Sequence, residues 1–231
     1  MAQCDSCIGS KSSINVQSYK NQIGTFYAPE RVLLVTQVLE TLPWDEVRSG
    51  LGEVIKLHLI AGEEPFRKII KLLDNVRTDS TVLSECIRSS LEIKKPYIEQ
   101  DEHDQGIRNL LNYGHTFGHA YESATHYAIP HGIAVTLGVL TATFVSAKLG
   151  LVGDGYFQEL KKALTVWYQP YEQKLKQLPI EGILCAIKLD KKNTRHGLHC
   201  ILTHGAGRME KIKLGPEVDL GMLIAGAIQE F

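Results

Sequence analysis

The pattern of apolar and polar positions changes character near Thr41. Before it, a stretch rich in Ser, Gly and Asn gives way to β-branched sequence. There Lys20-Asn21-Gln22-Ile23-Gly24 reads as a turn and Arg31 to Thr36 as a short buried strand. After it the spacing is helical. Pro43 at a first helical position, with Asp45 and Glu46 in the first turn, opens a helix predicted to run to about Ala61-Gly62. A second helix is predicted from Pro65 to about Val76 and a third from Ser80 to about Gln100, which Pro96 should kink or shorten. A fourth spans about Gln105 to Thr125, and a fifth, very apolar, follows Pro130-His131-Gly132 and ends near Gly150. Helical spacing continues through Tyr156–Leu164 and Pro179–Lys188. Leu198–Thr203 and Glu210–Leu214 are then expected to pair across Gly205-Ala206-Gly207, and Pro216 to Phe231 closes the chain as a helix. The predicted fold class is mainly α, with a short β-containing N-terminal segment and a small C-terminal hairpin.

Composition narrows the function classes. The 231 residues suffice for one large domain with a real core. A formal net charge of −1, with Lys and Arg spread along the chain, gives no field for nucleic acid or an anionic membrane. No apolar run is expected to reach the roughly 18 residues that span a bilayer, and Met1 to Lys11 has no signal-peptide core. Five cysteines (Cys4, Cys7, Cys86, Cys185 and Cys200) are few and odd in number, which points to reduced thiols in the cytoplasm. Cys4-Asp5-Ser6-Cys7 matches C-x-x-C, but as the only such pair it reads as two small residues before a redox or zinc motif.

The chemistry concentrates in the predicted fourth helix. Arg108, Asn112, His115, His119 and Glu122 are spaced by four, three, four and three, so a continuous α-helix would set them on one stripe. Polar stripes are ordinarily solvated, but solvated faces favour Lys and Glu, whereas this one carries two imidazoles and an amide. Gly114 and Gly118, one turn apart, would admit another backbone at close range, at about 1 kcal/mol each in helix propensity. His131 begins the next helix, and Glu53 sits in an otherwise apolar helix, where a buried carboxylate needs a cation. Glu53, His115 and His131 make a candidate metal triad of one oxygen and two nitrogens with an open fourth position. A satisfied polar core remains the competing reading. A second cluster, His196, His199 and His204 near Cys200, carries a weaker metal reading, and His58, His103 and His126 read as surface residues.

Asn112-Tyr113-Gly114-His115-Thr116-Phe117-Gly118-His119-Ala120 resembles the central motif of the dehydroquinate synthases, a family of sugar phosphate cyclases. Asp5 to Lys11, Lys20 to Gly24, Arg48 to Lys56, Glu92-Ile93-Lys94 and Asp190-Lys191-Lys192 resemble the family's other motifs and fall in the same order. The resemblance implies phosphate elimination and internal aldol cyclisation of a seven-carbon sugar acid phosphate, with transient oxidation by tightly held NAD. It implies that Glu53, His115 and His131 hold a divalent metal, zinc or cobalt. By position Lys56, Lys94, Arg108, Asn112, His119 and Lys191 or Lys192 would hold substrate, with a His beside phosphate able to relay protons. Asp5, Lys11, Lys20, Asn21 and the turn Val38, Leu39, Glu40 and Thr41 would touch NAD or lie between NAD and substrate.

Departures from the family pattern set further expectations. Its Rossmann-like N-terminal domain would lie before Met1, and no Gly-rich dinucleotide fingerprint is present. Residues 1–41 are thus expected to be a remnant of the NAD-contacting segment and 42–231 the helical metal- and substrate-binding domain. The expected partners are a sugar acid phosphate and either a second copy or a chain carrying the NAD-binding half. Gly9-Ser10-Lys11 stands where the family has Gly-Gly-Lys, and His131-Gly132-Ile133 where it has His-Gly-Glu. Three alternatives stay open. One is a sibling cyclase such as 2-deoxy-scyllo-inosose synthase, against which Arg108 and Lys94 favour an acid substrate. The others are a metal-dependent alcohol or glycerol-phosphate dehydrogenase and a non-catalytic remnant serving as a binding module.

Overall fold

The computed structural model describes residues 2–16, 19–189 and 198–231. These form two compact units, Met1–Leu111 and Asn112–Phe231.

The first unit begins with a 3-10 turn, Ala2–Cys4, and an antiparallel hairpin of β1 (Lys11–Val16) and β2 (Tyr19–Phe26). The predicted turn at Lys20–Gly24 is therefore strand. Gly24 pairs with Ser13, and a Cβ on Gly24 would overlap the Ser12 carbonyl oxygen, so this glycine serves close strand approach rather than chain reversal. The predicted buried strand at Arg31–Thr36 is not one: the segment is irregular and exposed, with Leu33 at 83%. Its ladder partner is replaced by a side chain. The Gln3 amide donates to the Val35 carbonyl at 3.0 Å and accepts from the Val35 N–H at 3.1 Å.

Three helices follow: α1 (Trp44–Ala61), α2 (Glu63–Leu73) and α3 (Ser80–Gln100). Pro43 precedes α1, as its fixed φ suits, and Asp79 caps α3 by accepting from the Thr81 N–H at 2.8 Å. Pro96 does not shorten α3, which runs on to Gln100. Leu51, Val54, Ile55, Leu57 and Leu59 of α1 are buried, as are Ile69 and Leu73 of α2 and Val82, Cys86 and Ile87 of α3. Polar residues of α1 are buried with partners. Lys56 donates to Glu53 Oε2 at 2.6 Å. His58, expected at the surface, is only 4% exposed: Nδ1 lies 2.7 Å from the Val54 carbonyl oxygen and Nε2 3.0 Å from Ser89 Oγ on α3. Its apolar flanks, Leu57 and Leu59, carry it inside.

The second unit contains α4 (His115–Ala124), α5 (His131–Lys148), α6 (Asp154–Tyr168), α7 (Glu172–Lys176), α8 (Ile180–Leu189), β3 (Leu198–Thr203), β4 (Met209–Leu214) and α9 (Leu220–Glu230). β3 and β4 pair antiparallel from Leu198↔Leu214 to Thr203↔Met209, as the sequence predicts. Helix α5 lies at the centre and packs on α4, α6, α9 and β3. Its 18 residues have a mean hydropathy of 1.2, so by length and composition it would cross a membrane, yet 83% of it is buried inside the protein. It is a core helix. Its hydroxyls are satisfied along its own backbone: Thr136, Thr141, Thr143 and Ser146 each donate to the carbonyl four residues back. Two of them also meet buried phenols, Tyr113 with Thr143 and Tyr121 with Thr141, both at 2.7 Å.

The continuous fourth helix of the sequence prediction is interrupted. Ile107–Asn112 is a 3-10 helix, and Gly114 has φ +78 before α4 starts at His115. A Cβ on Gly114 would lie 2.7 Å from the Val139 backbone nitrogen, so the left-handed turn and the close packing on α5 need the same glycine. Gly118 and Gly138 complete the approach. A Cβ on Gly118 would lie 2.9 Å from the Ala134 carbonyl oxygen, and one on Gly138 would overlap the carbonyl oxygen of Gly114. The break divides the predicted stripe: Arg108 belongs to the first unit, and only His115, His119 and Glu122 share α4.

Candidate metal centre

The glycine-mediated contact sets the start of α5 beside α4. His115 and His119 are one turn apart on α4, and His131 is the first residue of α5, after Pro130. Their ring centroids are 5.2 Å apart for His115–His119, 5.6 Å for His115–His131 and 5.8 Å for His119–His131. One ring nitrogen from each lies within 4.8 Å of the others. His115 and His119 are half-buried and His131 is exposed. Three imidazoles this close, with a face open to solvent, fit a divalent metal of the zinc or cobalt kind with a coordination position left over.

The histidines are oriented from behind. His131 Nδ1 lies 3.1 Å from Oε2 of Glu122, a carboxylate 5% exposed on α4. His115 Nδ1 lies 3.3 Å from the Tyr113 carbonyl oxygen. With Nδ1–H donated in each case, Nε2 is the nitrogen that would ligate a metal. The resemblance implies no clear family role for Glu122, and its place on the stripe leaves it to orient a His or cap a neighbour. The signal was its spacing, seven residues after His115 and nine before His131, which closes only across the Thr125–Pro130 turn.

Curated relatives match this sequence along nearly the whole chain. The family model described as "3-dehydroquinate synthase C-terminal" matches residues 50–193, and "3-dehydroquinate synthase N-terminal" matches residues 1–49. This chain belongs to the 3-dehydroquinate synthase family. It is 35% identical over 219 residues to the 3-dehydroquinate synthase of Alkaliphilus metalliredigens, covering 94% of this chain and 61% of that protein. It is 38% identical over 226 residues to that of Dictyoglomus turgidum, covering 95% of this chain and 62% of the relative. The chain thus spans about three fifths of the length of these relatives. Among solved structures, it is similar to 2-deoxy-scyllo-inosose synthase complexed with carbaglucose-6-phosphate, NAD+ and Co2+, with TM-score 0.81 and 22% identity over 99% of this chain and 64% of that one. It is also similar to 2-epi-5-epi-valiolone synthase from Streptomyces hygroscopicus with NAD+ and Zn2+ bound, with TM-score 0.80 and 19% identity over 99% of this chain and 63% of that one. These two likenesses establish a shared fold.

The remaining expected site residues fall as follows. Glu53 and Lys56 form the buried ion pair of α1 in the first unit. Burial pulls the Lys56 ammonium down, but attraction to Glu53 and Asp5 outweighs it and leaves the group above its ordinary value. Lys94, 8% exposed, is paired with Asp5 Oδ1 at 2.7 Å and donates to the carbonyls of Asp5 at 2.6 Å and Ile8 at 3.2 Å. Arg108, 4% exposed, donates to the carbonyls of Gly9 and Glu102. These two cations clamp the segment Asp5–Gly9. Lys11 pairs with Asp104. Val38 and Leu39 end a 3-10 turn, Thr36–Leu39, with Val38 exposed and Leu39 buried, and Glu40 and Thr41 follow at the surface. Asn112 ends the 3-10 helix before Gly114 and is half-buried. Lys191, Lys192 and His196 lie outside the described residues, as do the side chains of Lys20 and Asn21.

Two weaker motifs resolve into packing. Cys4 is buried, donates to the Gly50 carbonyl at 3.4 Å, and has its thiol pushed by burial up to about 12, which suits a small packed residue. His204 bonds Glu210 at 2.8 Å, and among the described residues the hairpin histidines enter no metal-like cluster.

Proposed function

We propose that this chain supplies the metal- and substrate-binding portion of a cytoplasmic 3-dehydroquinate synthase, which eliminates phosphate from a seven-carbon sugar acid phosphate and closes the carbocycle by an internal aldol step. The observation that carries this is the cluster of His115, His119 and His131 within a chain of this family. His115 and His131 hold the metal, and Glu53 is a third ligand on the strength of the resemblance. A bound zinc or cobalt ion supplies Lewis acidity that polarises a substrate oxygen. His119, half-buried beside the two ligands, is suited to take or return a proton at the reacting carbon or the departing phosphate. Lys56, Asn112, Lys191 and Lys192 bind hydroxyls and phosphate. NAD, contacted by Asp5, Lys11, Lys20, Asn21 and residues 38–41, is held by a further portion, on the same polypeptide or on a partner within a homodimer or heteromer.

A second reading keeps the cyclase chemistry on a sugar phosphate without a carboxylate. Lys94 and Arg108, the residues that favour an acid, here bind the Asp5–Gly9 carbonyls. Elemental analysis of the purified chain beside His115→Ala tests the metal, with about one zinc or cobalt per chain expected and loss in the variant. Phosphate release is then measured with each substrate, alone and after adding the portion of the Alkaliphilus metalliredigens relative that precedes the matched region. Release from the acid only when that portion and NAD are present is expected. Absence of metal from the wild type would remove the proposal, and robust release by the chain alone would remove the need for a further portion.

A further inference from the structure

We infer that Glu122 is the positioning residue of the metal centre, fixing the tautomer and ring orientation of His131; this rests on the metal reading above. His131 alone of the three imidazoles is largely exposed, with 45% of its side chain open to solvent, and it sits at the first position of α5, where little backbone holds it. An imidazole so placed turns freely about its side-chain bonds unless something fixes it. Glu122 does so from the neighbouring helix: its side chain is 6% exposed and Oε2 accepts from Nδ1–H at 3.1 Å. Burial makes the contact rigid, because a carboxylate at this depth is costly without a donor. The carboxylate also raises the basicity of the nitrogen that ligates. The residue two places after His131 has no such function: Ile133 is apolar and fully buried, so the carboxylate on His131 comes from α4.

The backbone explains why α4 can supply it. Tyr127 N–H bonds the Glu122 carbonyl at 2.7 Å, and His126 and Tyr127 both have positive φ, 50 and 63. This turn reverses the chain at once and returns His131 beside Glu122, nine residues on.

The test is cobalt(II) titration of the full chain, read by visible absorption and by chelator competition, for wild type, Glu122→Gln, Glu122→Ala and His131→Ala. Glu122→Ala should weaken cobalt binding about 10–100-fold and shift the absorption bands. Glu122→Gln, which keeps the volume and an acceptor oxygen, should restore the wild-type band positions with an intermediate affinity. Thermal midpoints of the metal-free proteins should agree, which separates positioning from a purely structural role. Cobalt binding by both Glu122 variants within twofold of wild type, with loss in His131→Ala, would overturn the inference and leave the metal centre standing. No cobalt binding by the wild type would overturn both.

Discussion

Ser10 carries the family's missing glycine as measurable strain. Its φ is +60, in the left-handed region that costs a side chain about 1–2 kcal/mol, and its buried Oγ has no hydrogen-bond partner among the described residues. Ser10→Gly should therefore stabilise the protein by about 1 kcal/mol after the entropy cost of glycine, raising Tm by roughly 2–4 °C. An unchanged or lower Tm in calorimetry would show that the turn is not strained. His58 makes a pH prediction. Burial holds its imidazole below the usual 6.5, so near and under that pH the unfolded chain takes up a proton that the folded site resists. The stability linked to His58 is present above about pH 6.5 and is lost as pH falls toward the lowered folded value. Denaturant melts at about pH 7.5 and 5.5 should show a smaller acid loss in His58→Gln than in wild type. Equal losses would clear His58 of the effect. Neither burial was legible in the sequence: a histidine at an apolar helix position and a serine in a glycine motif reveal their cost only when their neighbours are placed.

Helices bounded by strong punctuation were legible. Pro43 and Pro130 give the starts of α1 and α5, and the two glycines around Ala206 give the β3–β4 turn. Gly24 shows one kind of error, a residue type credited to local conformation when it serves a contact. The sequence reads Gly24 as a turn, and it is a close strand crossing; Gly114 makes the close backbone approach its spacing predicts, but its left-handed φ interrupts the expected helix before α4. The contact between α4 and α5 supplies the test. Gly138→Ala should destabilise by about 3 kcal/mol, since its Cβ would meet the Gly114 carbonyl. Gly155→Ala on α6, with nothing within 4 Å of its Cβ, should instead gain up to about 1 kcal/mol. Urea denaturation of both variants compares them, and a loss under about 1 kcal/mol for Gly138→Ala would contradict backbone contact of the two helices.

For the whole molecule, the family could be read from the order of its motifs, because Asn112 to Ala120 and its companions need no three-dimensional information. The site was only partly legible. The start of the next helix at His131 suggests its approach to His115, but the meeting of all three imidazoles depends on a turn with two residues at positive φ that no periodicity announces. The chain covers 61–62% of its two cited relatives, and its N-terminal unit exposes Tyr27, Leu33, Val38, Ile14 and Ile23. Large apolar side chains left in water at that density are ordinarily covered by something in the working protein.

The central position of α5 also sets a problem of order. Among the described residues, α4 precedes it in the chain, whereas the other elements it packs on most, α6, β3 and α9, are drawn from residues 149–231. At a synthesis rate of about 5–20 residues per second, this apolar helix waits on the order of ten seconds after leaving the ribosome before its cover exists. During that interval it presents the surface of a membrane segment to whatever it meets, and only the synthesis of residues 149–231 turns it into a protein core.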